Sequence, residues 1–322
     1  LTIEKGEIAM SIRLTHVPAD QTGFESEGDA PFFFEAERAL RTLRHLEDAG
    51  FDGVLIDSAG GVLANLDLAA QAASGTSALQ IAIVHSPGIL APDIAARQIA
   101  ALDAASAGRI ALRIAADGIG SRRSGPANHA ASFGRLSEYL VLLRRLWANE
   151  APFEHQGPFY TVRDGYVALK GPQGMAIPVR MGGLSGTAVR TAARHADVFE
   201  LAPGTPEEVR LQVSRVVAAA REFGRGDKIG FALPVHLGSP SRAPGVRLSG
   251  SPEEVALALL PYAALGVTEL MIAGLTTARE IELFGRHTAP LLRNSIRRRL
   301  APEPVLPSVG DASPEMAGRS RH

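Results

Sequence analysis

Cysteine is absent from the 322 residues, so the chain can build neither a disulfide framework nor a thiolate nucleophile. Excess charge is missing too. With 33 basic and 34 acidic residues the net charge is −1, which leaves no footprint for nucleic acid or an anionic membrane. No apolar run reaches the length of a membrane span and no secretion signal is present, so a cytoplasmic protein is expected. The basic residues are nearly all arginine, which reads as codon bias. No linker-like stretch divides the middle. At 46% hydrophobic and 21% charged, the chain can bury one large core, as a single barrel or as two domains.

What is present is a repeating unit, clearest from Pro178 to Leu201. An apolar run enters Gly182 and Gly183, passes Leu184-Ser185-Gly186 into an Ala/Arg-patterned segment, and ends in the apolar run Asp197–Leu201. That is strand, glycine turn, helix, strand. The helix should start near Ser185 with its free N–H groups facing the turn, and such an end binds anions, a phosphate above all. Glycine turns of this kind also occur in units that bind nothing.

Similar units flank this one. Ser11–Val17 reads as a first strand ending at His16, and Leu40, Leu43 and Leu46 give the helix before Gly50 its face. Strands follow at Phe51–Asp57, Leu79–His85, Arg109–Ala115, Pro178–Gly182, Val198–Leu201, Ile229–Leu237 and Val267–Ala273, with helices at Leu66–Ala73, Pro92–Ala105, Arg135–Trp147 and Pro206–Phe223 between them. Ser251-Pro252-Glu253-Glu254 opens another helix with an N-cap serine, a proline at N1 and a glutamate at N3. Eight strand–helix units predict a (β/α)8 TIM barrel over residues 11–299, with a doubly wound sheet as the alternative. Residues 1–10 read as a mobile leader with Met10 a candidate start, and residues 300–322, rich in Pro, Ser and Ala, as a disordered tail.

A barrel puts function at the carboxyl ends of its strands. Those ends carry His16, Asp57, His85, Asp117, the Gly182–Ser185 turn and His236, and the three histidines are expected to converge on one mouth. Each has a plainer reading: a strand-end aspartate caps the next helix, and a lone histidine is a satisfied core or surface residue.

Several stretches together resemble the bacterial luciferase-like, flavin-dependent monooxygenases. Pro152–Val162 (PFEHQGPFYTV) is similar to that family's F-x-G-x-x-Y element. His85–Ile110, Pro178–Leu201 and Ser251–Leu270 match further segments in the family's order. The nearest subgroup is the alkanesulfonate monooxygenases. The resemblance implies a luciferase-like barrel and a likeness in activity. Reduced FMN, supplied by a separate flavin reductase, would react with O2 on a small organic molecule, organosulfur compounds included. It also implies a homo-oligomer, dimer or tetramer.

Carried over residue by residue, the phosphate turn falls on Gly182, Gly183 and Ser185, and the flavin-side histidine on His236, with His16 and His85 as further catalytic candidates. The family's Arg-Tyr-Glu beside the phosphate reads Ser132-Phe133-Gly134, and its Asn/Thr pair reads Ile114 and Asp117, leaving Phe133 and Asp117 as the cofactor candidates there. The arginine before the histidine is Pro234, the active-site cysteine is absent, Leu275 and Glu282 stand where a tyrosine belongs, and the arginine-bearing insertion shrinks to Gly238–Leu248. Since a buried anion needs cationic partners, these losses predict a mouth less cationic than in sulfonate enzymes and no small alkanesulfonate substrate. Three alternatives remain at this level: a deazaflavin (F420)-dependent oxidoreductase on the same barrel, a metal-dependent barrel hydrolase, and a non-catalytic flavin-binding subunit. The hydrolase would want two histidines at i, i+2 on the first strand, which reads Thr15-His16-Val17.

Overall fold

The computed structural model describes residues 12–18, 32–57, 61–114, 126–238 and 245–300. The leader and residues 301–322 of the expected tail lie outside that set. Eight strands form the barrel: β1 (Arg13–His16), β2 (Gly53–Ile56), β3 (Gln80–His85), β4 (Ile110–Ile114), β7 (Val179–Gly182), β8 (Val198–Glu200), β9 (Gly230–Leu237) and β11 (Val267–Ala273). Every neighbouring pair is parallel, and the β8–β9 pairing closes the ring. The expected (β/α)8 architecture is what the chain adopts, and the doubly wound alternative, an open sheet, is excluded by that closure.

The outer layer is α1 (Phe32–Asp48), α2 (Gly61–Gly75), α3 (Pro92–Ala105), α4 (Pro126–Ala148), α5 (Gly186–His195), α6 (Pro206–Arg221), α7 (Pro252–Ala264), α8 (Ala278–Leu283) and α9 (Ala289–Leu300). The capping box at Ser251 forms, and two more form at Thr205 and Thr277. α2 starts at Gly61 rather than Leu66. Its buried Asn65, which donates to the Val84 carbonyl at 2.8 Å, interrupts the apolar pattern by which a helix is recognised. Among the described residues no helix is long and apolar enough to cross a membrane.

Two elements were not expected from sequence. An antiparallel hairpin of β5 (Phe153–Gln156) and β6 (Thr161–Gly165) sits between α4 and β7. The short β10 (Val246–Leu248) pairs with the carboxyl half of β9 at Val235–Leu237.

Strand alternation divides the interior in two. Side chains such as Leu14, Ile81, Ile83 and Leu233 meet the helices in the main core. Those of opposite parity fill the barrel itself: Leu55, Ala82, Val84, Ala111, Ala232 and Met271 form a separate inner cluster, with Val17 and Val198 against it.

Candidate active site at the barrel mouth

The turn after β7 brings backbone close to backbone. A Cβ on Gly183, whose φ is +127°, would lie 2.8 Å from the Ala188 Cβ, and one on Gly182 would lie 2.8 Å from the Glu200 carbonyl oxygen. Glycine alone fits both places. Ser185 is the N-cap of α5, its Oγ accepting from the Ala188 amide at 3.1 Å. The exposed Gly186 and Thr187 amides keep no partner among the described residues and sit at the positive end of the helix. Arg215 of α6 lies against the same turn, Nη1 donating to the Leu184 carbonyl at 3.0 Å and Nη2 3.8 Å from where a side chain on Gly186 would begin. These two amides and the guanidinium are the kinds of donor an anion uses. Ser185 organises the turn by capping.

β9 carries Phe231, Leu233, Val235 and Leu237 on its helix-facing side, so Ala232 and His236 face the barrel interior. His236 is buried, and two glycines make room for it: a Cβ on Gly245 would lie 3.2 Å from its Cβ, and one on Gly274 would lie 3.0 Å from its Cε1. Its imidazole makes no hydrogen bond among the described residues.

Below the mouth the barrel holds an ionic network from five strands. Arg180, 1% exposed, donates through Nη1 to both oxygens of Glu269 at 2.8 and 2.9 Å and through Nε to Glu200 at 3.2 Å. Arg113 donates through Nε to the other Glu200 oxygen at 2.7 Å, and the Thr15 hydroxyl donates to Glu269. Burial works against the Arg180 charge, but Glu269 and Glu200 outweigh it and raise its pKa. An arginine does not lose its proton here.

Residues 13–243, most of the chain, match the luciferase-like monooxygenase family. The chain belongs to that family. Solved structures share its fold at low identity. A long-chain alkane monooxygenase is 16% identical with a TM-score of 0.73, covering 88% of this chain and 91% of its own. The EDTA monooxygenase of Chelativorans sp. is 17% identical with a TM-score of 0.71, covering 88% and 94%. The coenzyme F420-dependent tetrahydromethanopterin reductase of Methanopyrus kandleri is 17% identical with a TM-score of 0.69, covering 88% and 99%.

In this luciferase-like barrel the three histidines do not converge. His16 shares parity with Leu14, and His85 with Ile81 and Ile83, so both side chains face the helices rather than the mouth. His16 bonds the Leu275 carbonyl at 3.2 Å and meets Phe51 edge-on. His85 is fully buried, bonds the Tyr139 hydroxyl at 2.8 Å and stacks on that ring. Burial pushes His85 down to about 4 and lowers His16 despite its carbonyl bond. Both are neutral core residues. Phe133 is likewise core, packed in the main apolar cluster. Asp117 lies outside the described residues.

The sequence reading missed Arg113, Arg180, Glu200 and Glu269. The signal was available: each is a lone charge in an apolar strand, as in Ile110-Ala-Leu-Arg-Ile114. The hydrolase alternative finds no grouped ligand set among the described residues. For a flavin, the turn after β7 offers its phosphate the free amides and the guanidinium described above, and the inner cluster beneath is apolar. These residues fit the group.

Proposed function

We propose that this luciferase-like chain is an FMN-dependent monooxygenase that holds the cofactor phosphate at the start of α5 and works on a small organic substrate over the barrel mouth. The observation that carries the reading is the anion site itself: a Ser185-capped helix end with the Gly186 and Thr187 amides free and Arg215 beside it. Reduced FMN, delivered by a separate reductase, would supply the electrons that activate O2. The chain's own part is to bind, orient and move a proton. The glycine turn fixes the phosphate, and His236 gives or takes a proton at the substrate.

A second reading, hydride transfer with the deazaflavin F420, is favoured by the likeness to the F420-dependent reductase, of which 99% is covered. Titrating the protein with FMN, reduced FMN and F420, then following O2 consumption with reduced FMN, separates the readings. Ser185→Asp sets a carboxylate against the phosphate and should weaken FMN at least tenfold, about 1.4 kcal/mol. A mutant that titrates like the wild type puts the phosphate elsewhere. Binding without O2 consumption, in turn, makes this a binding subunit or a deazaflavin enzyme.

A further inference from the structure

The ionic network inside the barrel is short of acceptors. All four oxygens of Glu200 and Glu269 are engaged by Arg113, Arg180 and Thr15. Three guanidinium nitrogens are not. Arg180 Nη2 is a buried donor with no partner, and Nη1 and Nη2 of Arg113 make no hydrogen bond among the described residues. The two guanidiniums are adjacent, since each grips one oxygen of the Glu200 carboxylate through its Nε. They differ in access: the Arg180 side chain is 1% exposed and that of Arg113 is 32% exposed. Arg113 lies two residues beyond Ala111 of the inner cluster, on the same face of β4 and nearer its carboxyl end, so its open edge is at the floor of the mouth.

We propose that Arg113 is a specificity-determining residue that receives a carboxylate-type anionic group of the substrate. With Nε committed to Glu200, the edge left is the pair of terminal nitrogens, whose spacing matches the two oxygens of a carboxylate. Below it on the same strand face, Ala111 belongs to an aliphatic cluster, so a ligand with an apolar body and one anionic head suits the site. The network is neutral in charge, two arginines against two glutamates, so what it offers a further acceptor is unpartnered N–H donors and not surplus positive charge. The role of this ligand as substrate rests on the flavin-enzyme reading; its binding does not.

The test is calorimetric titration of the wild-type protein, with and without FMN, using butyrate and benzoate against the neutral amides butyramide and benzamide. The expected result is carboxylates bound at least tenfold more tightly than their amides, as for a charge-assisted bond. Arg113→Gln should remove that preference while FMN affinity stays within about twofold, and Arg113→Lys, which keeps charge but loses the fork, should keep part of it. Equal binding of carboxylate and amide by the wild type overturns the proposal, whether or not either variant folds. So does an Arg113→Gln protein that retains the preference, or one that loses reduced FMN instead, which would give the arginine to the cofactor. Carboxylate preference in a protein that binds no FMN sinks the flavin reading and leaves this one standing.

Discussion

At the scale of single residues, His236 is an inward-facing imidazole with no hydrogen-bond partner among the described residues, which suits it to serve a ligand. His236→Ala removes no hydrogen bond seen among the described residues, so it should cost about 1 kcal/mol of stability or less, while turnover falls roughly 10²- to 10⁴-fold. A lowered melting temperature with turnover per folded molecule unchanged would make His236 structural. Gly274 tests the same geometry from the other side. Its φ is +93° and an added Cβ would run into the Leu237 carbonyl oxygen and crowd the imidazole beside it, so Gly274→Ala should both destabilise and slow the enzyme, unlike His236→Ala. Arg180 belongs to the fold. Replacing it by Met strands the buried Glu269 carboxylate and leaves Glu200 to Arg113 alone, and urea denaturation should show a loss of about 3–5 kcal/mol, partly restored when Glu269 is also replaced by Met.

At the scale of elements, the β5–β6 hairpin is clamped to α4 by one carboxylate. Glu138 accepts from the Phe159 amide at 3.2 Å and the Tyr160 amide at 3.0 Å, and bonds His155 at 2.9 Å. Any side chain on Gly157 would run into Glu138, which explains in physical terms the glycine of the F-x-G-x-x-Y resemblance. Tyr160 of that element packs on Tyr139, which in turn holds His85. Glu138→Ala should therefore free the Phe159 and Tyr160 amides to exchange at least tenfold faster, with the barrel strands unaffected. Hydrogen exchange that is unchanged at these two amides would mean the hairpin is held by its aromatic packing alone. The hairpin escaped sequence reading because its strands, exposed on alternate residues, carry a weak apolar pattern.

At the scale of the whole molecule, the buried histidines make the fold sensitive to acid. Burial depresses His85 and His195 to about 4, with Arg194, Arg144 and Arg225 also working against charge on His195. Between the ordinary histidine value near 6.5 and the folded value, the unfolded chain binds protons that the folded one cannot, so stability falls as pH is lowered through that window. Each fully expressed shift of this size corresponds to about 3 kcal/mol at most. Thermal melts from pH 7 to pH 4.5 should show a steady fall in Tm, and His85→Gln should flatten part of it. A Tm level across that range would mean these histidines take up protons in the fold as readily as in the unfolded chain.

The barrel was legible because its signals are local. Fully buried runs such as Val54–Ile56, helix faces such as Leu40, Leu43 and Leu46, and the Ser251 cap each report one element's environment within a few residues. The glycine turn before Ser185 was legible for the same reason, since backbone conformation near a helix start is set by its own residues. Even the failure of the histidines to converge could have been read, because Leu14 and His16, or Ile83 and His85, share a face by alternation alone. What only the tertiary structure decided is the company each charge keeps. Arg113, Arg180, Glu200 and Glu269 are separated by up to 156 positions between the first and last, and Arg215 reaches the Gly182–Ser185 turn from another helix, 31 positions from the carbonyl it holds. Ring closure places these side chains together, and no local pattern encodes which strand ends up across the barrel from which.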